Sequence, residues 1–208
     1  GTKGLLEVFG MVGDDLNNWL AWMGAHRAEQ LKAQGRENNL TDSDITELKA
    51  LANGKERLFE QTRLEYNKVN SAILDMAQEA GLLSEAQRSG FDEEYYVPFF
   101  RDMGETDPEM DDIKRMIVEP HTRKGISGQS AQLKSLKGGT QSTKDLLENI
   151  ISRQSTFIDA SLKNKAMQEV VNNLDGTDYM KAESSEDIAS LSQQDLNKLG
   201  KVKVMVDG

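Results

Sequence analysis

The chain has 208 residues, of which 37% are hydrophobic, 6% aromatic and 29% charged, with a formal net charge of −10 at pH 7. That length suffices for one substantial core or two small ones, and the acidic balance argues against general nucleic-acid affinity. With no cysteine, disulfides and thiolate metal sites are excluded. No run of about 18 apolar residues offers a membrane span.

Only three prolines occur, Pro98, Pro108 and Pro120, and the long proline-free stretches on either side leave helices uninterrupted. The expected fold is therefore all-α: an elongated helical bundle with a long irregular proline- and glycine-containing connector and a short C-terminal strand. Four regions are expected: an N-terminal helical hairpin or bundle over 1–90, the connector over 91–141, C-terminal helices over 142–200, and one strand of a truncated hairpin over 201–208.

A first helix is expected from Leu5 to Ala33, because Leu5, Phe9, Val12, Leu16, Trp19 and Met23 recur at alternating spacings of four and three. Gly10, Gly13 and Gly24 weaken that helix and suggest close helix–helix approach. Gln34-Gly35 ends it. Thr41 reads as the N-cap of a second helix, with Asp42 and Asp44 in its first turn, and Asn53-Gly54 as a break or bend. The repeat returns in Phe59, Thr62, Tyr66, Val69, Ile73, Met76 and Ala80, closed by Gly81 as a C′ residue. Ser84 with Gln87 reads as a capping box for a short helix.

From Asp92 to Asp112 there are nine acidic residues and one base, Arg101; from Pro120 to Lys144 there are five bases and no acid. Adjacent blocks of opposite sign suit mutual pairing or two distinct partner faces. Ser142 or Thr143 opens a long helix to Leu174, its buried side marked by Leu147, Ile150, Ile151, Phe157, Ile158, Leu162, Ala166 and Val170, and Asp175-Gly176 stops it. Ser184 with Asp187 caps a last short helix. Alternating Lys and Val from Lys201 to Val206, followed by Asp207-Gly208, read as the first half of a β-hairpin that continues beyond the chain.

Candidate chemistry is sparse. His26 continues the apolar seam, and without a second histidine or a nucleophile at helical spacing it reads as an interface histidine. Asp92, Glu93 and Glu94 read as a solvated acidic turn rather than as a glycosidase pair. They lead into Tyr95, Tyr96, Phe99 and Phe100, expected to form an extended aromatic plug buried against the long helices. Gly125-Ile-Ser-Gly128 and Lys137-Gly-Gly lack the spacing of a phosphate loop. A polyanion contact, expected to be weak, would use Arg123, Lys124, Lys134, Lys137 and Lys144. No catalytic residue, metal site or cofactor is expected.

The stretch Arg27-Ala-Glu-Gln-Leu-Lys-Ala-Gln-Gly-Arg-Glu-Asn-Asn39 resembles a segment of very large phage-encoded proteins, the large polyvalent proteins. Tyr95-Tyr-Val-Pro-Phe-Phe-Arg101 is similar to them too. So are Gly125-Ile-Ser-Gly-Gln, Leu133-Lys-Ser-Leu-Lys-Gly-Gly139, Leu146-Leu-Glu-Asn-Ile150 and Val202-Lys-Val-Met-Val-Asp-Gly208. The resemblance covers most of the chain from Trp19 onward. It implies a non-catalytic structural or interaction module of a multi-domain protein, packaged in the virion and delivered with the DNA to the host cytoplasm. Its partners would be other regions of the parent polypeptide or other virion proteins, with oligomers formed through the helical seams. Two alternatives stand beside it: a nucleic-acid-associated or antirestriction module using residues 120–144, and a fragment of an enzyme whose catalytic half lies elsewhere.

Overall fold

A computed structural model describes residues 1–35, 40–92, 94–96, 141–180, 192 and 204–207. These residues are mostly helical and contain no strand. The helices are α1 (Leu5–Val12), α2 (Leu16–Ala33), α3 (Asp42–Lys49), α4 (Glu56–Glu79), α5 (Glu85–Phe91) and α6 (Gln141–Leu174), with 3-10 turns at Gly13–Asp15 and Ala50–Ala52.

The expected single helix from Leu5 to Ala33 is thus two. Gly13 adopts φ +49°, outside α-helical space, and after the 3-10 turn Gly13–Asp15 the α-helix resumes only at Leu16. The break is stabilised by Lys55, whose Nζ lies 2.6 Å from both carboxylate oxygens of Asp15. Neither Gly10 nor Gly13 marks a close approach, since a Cβ at either would meet nothing within 4 Å.

The buried pattern explains which element is central. Helix α2 buries seven consecutive residues, Trp19 to Ala25, so it is covered on every side at its middle. Helix α3 and the turn Ala50–Ala52 pack on it, and α4 packs between α1 and α6. Three rings join α1, α2 and α4: Trp19 meets Tyr66 edge-on at 5.7 Å and Phe9 at 6.2 Å, and Phe9 stacks on Tyr66 at 6.4 Å. The Trp19 indole N–H donates to the Phe59 carbonyl at 3.1 Å, so its one polar atom is satisfied inside the core.

Local signals account for the helix ends. Thr41 Oγ1 accepts from the Asp44 amide at 3.1 Å while Asp44 Oδ2 accepts from the Thr41 amide at 3.0 Å. Ser84 and Gln87 make the same reciprocal pair at 3.3 and 2.8 Å. Helix α4 ends in a Schellman motif: the Gly81 amide donates to Gln78 and the Leu82 amide to Ala77, both at 2.9 Å. The Ala80 carbonyl, left over by that ending, accepts from Asn164 Nδ2 at 2.6 Å and Gln168 Nε2 at 3.1 Å, both on α6.

Two expected apolar stripes are corrected. On α4, Met76 is 37% exposed and Leu74 and Ala77 are buried instead. On α6, Ile150 and Phe157 are buried, but Ile151, Leu162, Ala166 and Val170 face outward. The buried row runs Ile150, Gln154, Phe157, Ser161 and Asn164, a four-three repeat whose later members are polar. Of the expected strand Lys201–Val206, residues 201–203 lie outside the described residues; Val204, Met205 and Val206 join no ladder among the described residues, and the Met205 main chain is held by α6 side chains. Most of the expected connector and the short helix opened by Ser184 lie outside the described residues, as do Phe99 and Phe100.

Gly81 and Gly176 give a matched test of packing. Both hold positive φ, +75° and +73°, so an added Cβ strains each backbone by about 1–2 kcal/mol. At Gly176 that Cβ would meet nothing within 4 Å; at Gly81 it would lie 2.8 Å from Gln168 Nε2 and from the Met205 carbonyl oxygen. Gly81→Ala should therefore destabilise the chain by about 1–3 kcal/mol more than Gly176→Ala in urea unfolding.

Candidate functional site

The densest cluster of titratable and aromatic side chains sits where α2, α4 and the Glu94-Tyr95 turn meet. Helix α2 presents Trp22 and His26, one turn apart, and α4 presents Phe59 and Arg63 at the same spacing. The turn is held by its main chain: the Glu94 carbonyl accepts from Asn67 Nδ2 at 2.9 Å and Arg63 Nη1 at 3.4 Å. Tyr95 is thereby laid on His26, ring centroids 4.5 Å apart and planes within 10°. Trp22 meets His26 edge-on at 4.7 Å, Tyr95 at 5.7 Å and Phe59 at 5.8 Å.

Arg63 is 5% exposed and its charge is met on three sides. Its guanidinium pairs with Glu60, lies 3.2 Å from Glu94 Oε1, and places Cζ 5.1 Å from the Tyr95 ring centre. A buried cation left without such partners would be strongly destabilising. The pairing with Glu60 holds the guanidinium proton above its ordinary affinity and the Glu60 carboxyl below the usual carboxylate range. Burial raises the Tyr95 phenol, reinforced by the carboxylates of Glu60 and Glu94.

Burial also lowers the His26 pKa, helped by Lys49 and opposed by Glu29 and Glu60. The imidazole is therefore neutral at pH 7, and its Nδ1 stands 3.9 Å from Glu29. One turn further along α2, Gln30 borders an open depression of about 430 Å³ that Ala33, Gln34 and Glu94 also line. Gln30 Oε1 is itself buried and accepts no hydrogen bond. The Glu94 carboxylate and the negative end of α2 beside the depression disfavour an anion there. Among the described residues, no group of three or more His, Asp or Glu is arranged to hold a metal ion.

Of the residues singled out in the sequence, Tyr95 and Tyr96 are half-buried, Tyr95 in a turn rather than an extended segment, and Tyr96 meets Phe91 edge-on at 6.2 Å. Arg123, Lys124, Lys134 and Lys137 lie outside the described residues, and Lys144 falls in the first turn of α6. Arg63, Glu60 and Gln30 carry no sequence motif. For Arg63 the one signal is position, since it follows Phe59 by four residues on the buried side of α4. Compared with family models, curated proteins and solved structures, the chain gives no match.

A histidine whose folded pKa is depressed binds its proton more readily when unfolded. Its contribution to stability is present above the ordinary value of 6.5 and is lost as pH falls from there toward the folded pKa. Glu60, also depressed, acts in the same direction but only below about 4.5. Urea midpoints should therefore fall between pH 7 and pH 5.5 in the wild type and fall less in His26→Gln; parallel profiles would remove the assignment to His26.

Proposed function

We propose that the chain is a non-catalytic structural and interaction module, an elongated helical bundle within a large phage virion-associated protein that enters the host cytoplasm with the DNA. The observation that carries an interaction role is the outward aliphatic row on α6, where Ile151, Leu162 and Val170 are 37%, 57% and 41% exposed. Their spacings of eleven and eight residues fall within an arc of about 100° at 3.6 residues per turn. Aliphatic side chains gathered on one side of a helix suit burial against a partner helix, from the parent polypeptide, another virion protein or a second copy. The phage assignment is supported by the likeness of Arg27–Asn39, Tyr95–Arg101 and the later stretches to large polyvalent proteins.

The titratable cluster agrees with this reading. Arg63, Glu60, Glu94 and Tyr95 satisfy one another, and His26 lies flat against a phenol ring, an arrangement that spends their chemistry on cohesion. Among the described residues no helix is long and apolar enough to cross a membrane. Mass spectrometry of purified particles from the phage that encodes this sequence should find its peptides, and should find them depleted after DNA ejection. Particles without them would end the virion reading. Separately, Leu162→Lys should weaken any concentration-dependent self-association in sedimentation equilibrium while leaving the helical signal intact.

A nucleic-acid reading is favoured by one sequence observation, the five bases and no acid between Pro120 and Lys144. At most five phosphates can be neutralised, so the salt slope should be no steeper than about −0.9 per contact. DNA affinity, if carried here, should fade between low and physiological salt and vanish when Arg123, Lys124, Lys134, Lys137 and Lys144 become Gln. Salt-resistant binding that survives those changes would place the contact elsewhere.

A further inference from the structure

Helix α6 carries two carboxamides one turn apart, Asn164 and Gln168, and both are aimed at a main chain rather than at side chains. Asn164 is 6% exposed. Its Oδ1 accepts from the Met205 amide at 2.9 Å and its Nδ2 donates to the Met205 carbonyl at 2.9 Å, so one side chain reads both polar atoms of one residue. Gln168 Nε2 donates to the same carbonyl at 2.5 Å. A residue that offers its N–H and C=O to the same side is in the geometry of a strand residue paired with a neighbour, and here the neighbour is a side-chain amide. Gly81 forms the floor: with a Cβ there, Met205 O would be 2.8 Å and Val206 Cα 3.3 Å away. The Met205 side chain packs at the edge of the hydrophobic core, and Asp207 holds φ +60°.

We propose that Asn164, Gln168 and Gly81 form a binding site for an extended peptide segment, recognised through its main chain, which Val204–Val206 occupies in cis. Recognition through N–H and C=O tolerates many sequences, as in the addition of a peptide to a sheet edge, and the core edge selects an apolar side chain at the read position. The carboxamides are anchored independently of the ligand, because both also donate to the Ala80 carbonyl, at 2.6 and 3.1 Å. The site is therefore preorganised, and its tethered occupant outcompetes a free peptide through its high effective concentration.

The test uses the full chain and a fluorescein-labelled octapeptide with the sequence of Lys201–Gly208. Met205→Pro removes the donated N–H and puts a ring where Asn164 Oδ1 was met, which expels the tethered segment. Anisotropy should then show the peptide binding to Met205→Pro at least about tenfold more tightly than to the wild type. Adding Asn164→Asp, which replaces the donor by an oxygen facing two carbonyls, should abolish that gain. Equal binding to the single and double variants, or no gain in a Met205→Pro chain that still melts cooperatively, would overturn the proposal. A second measurement needs no variant: the Met205 amide should be protected from hydrogen exchange in the wild type, and exchange at the rate of an open amide would overturn the proposal equally.

Discussion

The burial of Trp19 is the constraint on which the rest of the structure depends. The largest side chain in the core is fully enclosed, and its N–H has no water to turn to, so a carbonyl must be brought to it. That carbonyl belongs to Phe59, which fixes the height of α4 against α2. With α4 placed, Tyr66 meets the indole edge-on and Phe9 packs against both rings, which places α1. Further along the same two helices, the registration sets Trp22 against Phe59 and brings His26 within reach of the turn that Arg63 and Asn67 hold. The aromatic and ionic cluster is thus a consequence of core registration rather than an independent structure.

Charge follows the same logic. Buried Arg63 is tolerated because Glu60 shares its helix and Glu94 arrives with the turn that carries Tyr95. Each carboxylate keeps part of its surface in water, so the pair loses less hydration than two fully enclosed ions would. Exposed pairs such as Lys163 with Asp159 add little beyond solubility.

What was legible in the sequence divides along a physical line. Caps could be read because their chemistry is local: Thr41 with Asp44, Ser84 with Gln87, and Gly81 after α4 each satisfy helix ends within a few residues. The core of α1, α2 and α4 could be read because apolar side chains recur at seven-residue spacing through Phe9, Trp19, Phe59 and Tyr66. The break at Gly13 was hidden, since Lys55, which pairs with Asp15 beside it, lies 40 residues from that aspartate. The buried row of α6 was hidden for a different reason: Gln154, Ser161 and Asn164 occupy core positions with polar groups, and aliphatic side chains beside them gave a false stripe. Arg63 escaped notice because what makes it buried is the company of Glu94 and Tyr95, which only the tertiary structure supplies.

The change of character along α6 gives its two halves different responses to temperature. Its first half is held by Ile150 and Phe157, apolar surface whose exposure raises heat capacity and whose hold weakens on cooling. Its second half is held by Asn164 and Gln168 on the Ala80 and Met205 carbonyls, polar surface whose exposure lowers heat capacity. The two halves of one helix therefore contribute with opposite sign to the heat capacity of unfolding, in the order of its buried residues.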